Sequence, residues 1–306
     1  MAERLTLRCA TESLAREEPM AGTASRVQRW LIVEQPGAWG RDALRASGLD
    51  AAVAEALEAH AAGHRVRALV ARRTGDRRRS GDRTVFLAHS GVERAWVEQL
   101  TLPADRPEAL LDIDLGVTAF PDPPGLGRPG PPTLPMVCTN GRHDPCCADR
   151  GRPVVRALVE AHAPDVWEVS HVGGDRFAAN IVCLPDGAYY GRVQPDEAAA
   201  LLADHRAGLI ALDRYRGRSC HPPAVQVAEW HARRHLGERR LDGITVVSTE
   251  LGPEEGTVVV VLEPRGRGDA LAVVLRRERA APAQLTCHVH RESRPWAYRL
   301  VDLQPA

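Results

Sequence analysis

The stretch CTNGRHDPCCADRGRP, residues 138–153, decides the fold. An apolar run at positions 134–137 precedes it and is typical of a buried strand, and helical apolar spacing begins at about residue 151. Cys138 therefore closes a predicted strand, and Cys147 follows just before a predicted helix. Backbone N–H groups and the dipole at a helix N-terminus stabilise a thiolate, so this arrangement favours metal or redox chemistry.

Two further donors follow the next predicted strand, residues 166–172. His171 stands at the end of that strand, and Asp175 lies four residues beyond it. The glycine pair between them lets the backbone pass close to a bound group. Because neighbouring parallel strands of a sheet end at the same edge, we expect these two side chains and both cysteines to converge on one metal.

The order of predicted elements indicates an α/β protein. From residue 134 the order is β-α-β-β-β-α, with Asp186-Gly187 as a hairpin turn, which fits a thioredoxin-like layer. The order before residue 121 is similar, and proline and glycine dominate the segment between the two halves. We therefore predict two tandem thioredoxin-like α/β layers with a C-terminal α+β extension. The predicted N-terminal domain, without a cluster, spans residues 1–120, and a linker follows at residues 121–132. The metal domain spans residues 133–212, and the extension spans residues 213–306.

Composition excludes several classes of function. The 306 residues carry 40 basic and 40 acidic side chains, so a strongly basic nucleic-acid binder is not expected. Every basic residue is arginine, which excludes a lysine nucleophile, a Schiff base and a P-loop. No apolar run is long enough to span a membrane, and the charged N-terminus lacks a signal-peptide core. We expect a cytoplasmic protein with no membrane partner and with its seven cysteines reduced.

At these residues the sequence resembles the sucrase/ferredoxin-like family, whose core is a thioredoxin-like [2Fe-2S] ferredoxin. Similarity extends to residues 22–40 and 216–230 and so covers most of the chain. The matching residues in the central part are Cys138, Gly141, Arg142, Asp144, Cys147, Gly151, His171, Val172, Gly173, Gly174 and Asn180.

The resemblance implies electron transfer through a [2Fe-2S] cluster. Fungal and plant members hold the cluster with two cysteines and two histidines, the histidines in an H-x-G-G-H pattern. Carried over, the first three ligands fall on Cys138, Cys147 and His171, and Asp175 stands where the fourth would be histidine. A carboxylate there would lower the reduction potential relative to imidazole. Cys146 and His143 are the alternative fourth ligands.

The resemblance also implies partners, and a histidine ligand suggests a proton-coupled mechanism. The partners are redox proteins that donate and accept electrons, and the N-terminal half is the expected docking face. If His171 binds iron through one nitrogen, the other gains or loses a proton with the electron. An electron carrier is expected rather than an enzyme, because no pair of carboxylates can be singled out for sucrase activity.

Three other interpretations remain open. Cys146 or Cys147 is the nucleophile of a thioredoxin-like thiol/disulfide oxidoreductase, although the chain has no C-x-x-C. Alternatively the protein is a structural zinc-binding module, in which two cysteines, a histidine and a carboxylate hold the zinc ion. In the simplest interpretation, Cys138 and Cys147 are small buried apolar side chains that bind no metal.

Overall fold

The computed structural model describes residues 8–74, 81–266, 268–289 and 291–306. The first seven residues of the predicted N-terminal domain, and residues 75–80 within it, lie outside the described residues. The α-helices of the described chain are α1 (Cys9–Ala15), α2 (Ala51–Gly63), α3 (Pro145–Glu160), α4 (Ala198–Arg206) and α5 (Pro223–Leu236). The strands are β1 (Arg29–Glu34), β2 (Arg67–Arg73), β3 (Arg83–Ser90), β4 (Ala95–Leu102), β5 (Arg128–Pro129), β6 (Leu134–Cys138), β7 (Trp167–Val169), β8 (Ile181–Leu184), β9 (Ala188–Tyr190), β10 (Tyr215–Arg218), β11 (Ile244–Leu251), β12 (Thr257–Pro264), β13 (Leu271–Arg279) and β14 (Trp296–Pro305).

The protein is a mixed α/β structure whose described residues form a ten-stranded sheet. The strand order is β10-β9-β8-β6-β7-β2-β1-β3-β4-β5. In the N-terminal half, β1 pairs in parallel with β2 and antiparallel with β3. In the second half, β6 pairs in parallel with β7 and antiparallel with β8. The halves meet where β2 pairs antiparallel with β7, with Ala71 opposite Val169. The two predicted layers therefore share one continuous sheet.

The segment predicted as a linker takes part in this sheet. Its two-residue strand β5 pairs with Glu98 and Gln99 at the far edge of the N-terminal half. The carboxylate of Glu98 also accepts hydrogen bonds from the backbone N–H groups of Gly125, Leu126 and Gly127. Proline confines this strand to an edge, because it cannot donate to a ladder on both sides.

Helix α3 begins earlier than its apolar pattern predicts. Apolar periodicity places its start at residue 151, whereas the helix begins at Pro145. Asp144 caps it, since its side chain accepts a hydrogen bond from the backbone N–H of Cys146. Proline in the first turn needs no N–H donor and fixes a helical φ. Cys147 therefore lies inside the first turn, and the prediction that it precedes the helix is wrong.

The C-terminal residues form a second, four-stranded antiparallel sheet, in the order β11-β12-β13-β14. Helix α5 packs on it through Val225, Val227 and Ala228, which meet Val260 and Val273 of the sheet in one apolar cluster. Strands β10 and β14 and helix α1 were not predicted from the sequence. No described helix combines the length and the apolar character that crossing a bilayer requires.

A buried ion pair joins the two halves of the large sheet. The guanidinium of Arg72 on β2 donates a hydrogen bond to the carboxylate of Glu168 on β7 at 2.7 Å, and both side chains are buried. The hydroxyl of Thr139 donates to the same carboxylate oxygen at 2.8 Å. The Arg72 guanidinium also lies over the Trp39 ring, 4.3 Å from its centroid. Hydrogen bonds on both charges offset the cost of removing them from water.

We expect Glu168→Gln to lower the free energy of unfolding by about 3 kcal/mol, because it leaves the buried Arg72 charge without its counter-ion. Urea denaturation measures the loss. The matched control is Asp213→Asn, which removes the partner of Arg234 in an exposed pair and should cost less than about 1 kcal/mol. Equal losses in the two variants would show that the buried pair does not hold the halves together.

Candidate metal centre

The parallel pairing of β6 with β7 sets the first two donors side by side. Cys138, the last residue of β6, lies opposite Val169, the last residue of β7. The chain leaves both strands at the same edge of the sheet, so His171 emerges next to Cys138 two residues further on. The sulfur of Cys138 is buried, whereas the imidazole of His171 is 21% exposed.

Helix α3 brings the third donor against the end of β6. Gly151, in the second turn, allows this close approach, because a Cβ there would lie 2.2 Å from the carbonyl oxygen of Cys138. Cys147 in the first turn is fully buried and faces that strand end. The helix N-terminus adds a partial positive charge that favours a thiolate or another anion at the site.

The loop after β7 positions the fourth donor. Gly173 and Gly174 have φ angles of 103° and 81°, which favour glycine. The buried guanidinium of Arg216 donates to the carbonyl of Gly173 at 3.1 Å and to Oδ1 of Asn180 at 2.7 Å. The amide of Asn180 donates to the carbonyl of Gly174 at 2.9 Å. These contacts fix the turn that directs Asp175 into the site.

The four donors predicted to bind a metal form one contiguous group. The ligand atoms of Cys138, Cys147 and His171 all lie within 4.8 Å of one another. Oδ1 of Asp175 lies 2.9 Å from Nδ1 of His171 and 3.3 Å from the sulfur of Cys147. Two thiols, one imidazole and one carboxylate thus lie next to one another, and each is a donor type that iron accepts.

The two alternative fourth ligands lie in different places. The ring of His143 stacks on that of His171, with centroids 3.7 Å apart, and its Nε2 lies 3.9 Å from Oδ2 of Asp175. Cys146 instead lies with Cys9 and Cys287 in a separate group of donors. Successive helical residues point about 100° apart, so the adjacent cysteines of α3 cannot both face the same small site.

The metal-free group shares protons unevenly. Hydrogen bonds from Cys147 and His171 hold the pKa of Cys138 well below its usual range, although burial opposes ionisation. The pKa of Cys147 is raised, because its proton is shared with Cys138 and its thiol is buried. Burial disfavours a charged His171, but hydrogen bonds to Asp175 and Cys138 raise its pKa to about 9. Both shifts favour the charged form, anionic for Cys138 and cationic for His171.

The exposed edge of His171 lines a cavity of about 610 Å³ between the site and the N-terminal half. Arg67 on β2 donates a hydrogen bond to the carbonyl of His171 at 2.9 Å, and Ser170 pairs with Val70 through both its backbone and its side chain. His143 and Arg41 also line this cavity. The N-terminal half therefore holds the histidine loop in place and forms the opposite wall of its opening.

Sequence reasoning did not bring together the residues of the second donor group. Cys9 and Cys287 received no role, and Asp144 was noted only as a residue shared with the family; all three lie with Cys146 in this group. Cys9 and Cys287 are 278 residues apart, and no spacing pattern in the sequence relates them. Arg216 was noted only within a similar segment. The helix-start signals Asp144 and Pro145 were present in the sequence and would have shown that the two cysteines of α3 point in different directions.

Comparison with known proteins gives a family and a local structural likeness. A family model described as sucrase/ferredoxin-like matches residues 20–217. No curated protein matches the sequence. A thioredoxin-like [2Fe-2S] ferredoxin from Aquifex aeolicus is 20% identical over 30% of this chain and 94% of its own, with a TM-score of 0.26. A cysteine-to-serine variant of that ferredoxin is 22% identical over 28% of this chain and 99% of its own, with a TM-score of 0.25.

In the metal-free protein, we expect Asp175→Asn to lower the pKa of His171 from about 9, because the variant removes the charged hydrogen-bond partner of its ring. An NMR pH titration of the imidazole resonances measures the shift. Asp149→Asn, which alters an exposed carboxylate paired with Arg8, is the control and should leave the pKa of His171 unchanged. An unchanged value in Asp175→Asn would show that the carboxylate does not set the protonation of the ring.

Proposed function

The chain belongs to the sucrase/ferredoxin-like family, and from that membership we propose that it transfers single electrons through a [2Fe-2S] cluster held by Cys138, Cys147, His171 and Asp175. The observation that carries the proposal is the convergence of two sulfurs and one imidazole within 4.8 Å. When bound, such a cluster accepts and releases one electron. The two interacting halves, each with the strand pattern of a thioredoxin-like layer, form the scaffold in this proposal.

Each ligand has a separate role. Cys138 and Cys147 supply the buried thiolates, and the N-terminus of α3 favours their negative charge. His171 would bind through Nδ1, the nitrogen that faces Cys147 and Asp175, which would leave Nε2 to exchange a proton. Asp175 takes the fourth position because it contacts both Cys147 and His171. The fixed charge of Arg216 nearby offsets part of the negative charge of this ligand set.

The cavity beside His171 suggests where a redox partner docks. Electron transfer needs a short path from a buried centre to the surface. The ligand His171 and the ring of His143 that stacks on it both line this opening. Arginines 41 and 67 line it together with Asp42 and Glu58. We infer that the donor and acceptor proteins bind across this opening and contact both halves of the large sheet.

Burial argues against a thiol/disulfide oxidoreductase. Such an enzyme attacks its substrate with a partly exposed thiolate. Cys147 is fully buried, and Cys146 is 2% exposed. The sulfurs that the rival function requires are therefore closed to a disulfide substrate.

We expect the full-length chain, purified without air, to be red-brown and to contain about two iron and two sulfide ions. Cys138→Ser and Cys147→Ser should each lose most of the iron and the sulfide. Cys220 is buried and lies outside the two groups of metal donors, so Cys220→Ser should keep the iron and the sulfide. Elemental analysis and sulfide determination provide the counts. Zinc at this site, or iron without sulfide, would contradict the proposal.

Two further variants identify the fourth ligand. Asp175→Ala should change the absorbance and the EPR spectrum of the reduced protein, while His143→Ala should leave both spectra in place. An unchanged spectrum in Asp175→Ala rejects the carboxylate as a ligand.

We expect the midpoint potential to fall by about 59 mV per pH unit above the pKa of His171 in the oxidised protein. Reduction makes the site more negative, so the imidazole binds its proton more tightly in the reduced state, and each electron then brings one proton. Redox titration between about pH 6 and 10 measures the slope. A potential that does not change across this range would show that His171 exchanges no proton.

A further inference from the structure

Three cysteines from distant parts of the chain meet outside the site described above. Cys9 is the first residue of α1, Cys146 lies in the first turn of α3, and Cys287 lies in the segment before β14. Cys9 is fully buried, and Cys146 is nearly so. All seven cysteines of the chain are free thiols. A small cluster that also contains Ala10 and Ala178 surrounds the three sulfurs.

The spacing of the three sulfurs fits a single ion at their centre. The sulfurs of Cys9 and Cys146 are 3.7 Å apart, those of Cys9 and Cys287 are 3.6 Å apart, and those of Cys146 and Cys287 are 3.4 Å apart. With Zn–S bonds of about 2.3 Å, tetrahedral zinc holds its sulfur ligands about 3.8 Å apart. A disulfide would instead single out one pair, yet the three separations are nearly equal.

Asp144 provides the fourth donor. Its Oδ1 accepts the backbone N–H of Cys146 at 2.9 Å, and its Oδ2 accepts the N–H of Cys287 at 2.7 Å and the hydroxyl of Thr286 at 3.0 Å. A carboxylate offers about four lone-pair positions, so these three hydrogen bonds leave one position for a metal ion. The two oxygens lie 3.8 and 3.7 Å from the sulfur of Cys9, close to the S···O separation of about 3.5 Å expected in tetrahedral zinc.

The polar surroundings of the group also suit bound thiolates. A divalent ion that binds there would displace the thiol protons. The backbone N–H of Cys9 donates to the sulfur of Cys287 at 3.4 Å, as N–H groups do to bound thiolates.

We propose that Cys9, Cys146, Cys287 and Asp144 form a structural zinc site that ties α1 and the segment before β14 to the first turn of α3. Zinc is the favoured ion because thiolate-rich, closed, four-coordinate sites are typical of structural zinc. The first turn of α3 then serves two metal centres, with Cys147 facing one and Cys146 the other. The zinc site does not depend on the cluster, since the two centres share no ligand.

The test uses the full-length chain, expressed without a polyhistidine tag in medium that contains zinc and iron, and purified without air. We expect one zinc ion per chain by mass spectrometry. Zinc-edge X-ray absorption, which does not detect iron, should give three sulfur ligands at about 2.3 Å and one oxygen ligand at about 2.0 Å. Cys9→Ser and Cys287→Ser should lose most of the zinc and keep the iron, whereas Cys220→Ser should keep both. Cys138→Ser should lose iron and keep zinc.

Several results would overturn the zinc site. They are wild-type protein without zinc, zinc retained in both Cys9→Ser and Cys287→Ser, and a disulfide between two of the three cysteines in alkylated peptides. Zinc lost only in Cys138→Ser would place the ion at the other site. If the serine variants do not fold, the absorption spectrum of the wild-type protein still decides the ligand set. A chain with zinc but without iron and sulfide would contradict the cluster and leave the zinc site standing.

Discussion

The parallel pairing of β6 and β7 is the constraint on which the candidate cluster site depends. It aligns Cys138 with Val169, so the chain leaves both strands at one edge and His171 reaches the same point as the cysteine. The close approach of α3, which Gly151 permits, then adds Cys147. The backbone sets each of these donors, so the geometry of the site follows from strand register and helix packing rather than from any one side-chain contact.

The N-terminal half supports the site instead of repeating it. Its strand β2 extends the sheet next to β7, its Arg67 holds the carbonyl of His171, and its Arg72 pairs with Glu168 inside the join. The same half forms one wall of the cavity at the exposed ring of His171. A redox partner that bound at this cavity would contact both halves.

The sequence predicted what is local and missed what depends on distant contacts. Hydrophobic period and turn residues located most strands and helices, and the strand ends located Cys138 and His171. Apolar spacing placed the start of α3 too late, because its first turn carries no apolar period. The start is marked instead by the capping residue Asp144 and by Pro145. The contact between Cys9 and Cys287, and the pairing of β2 with β7, join parts of the chain that no period or motif relates.

Pulsed EPR of the reduced, anaerobically purified protein tests the central claim most directly, because it detects nitrogen bound to a paramagnetic iron cluster. The account predicts coupling to a single coordinated histidine nitrogen, which changes when histidine is labelled with ¹⁵N. This coupling should disappear in His171→Ala and remain in His143→Ala. Coupling to no nitrogen, or a coupling that survives in His171→Ala, would contradict the account.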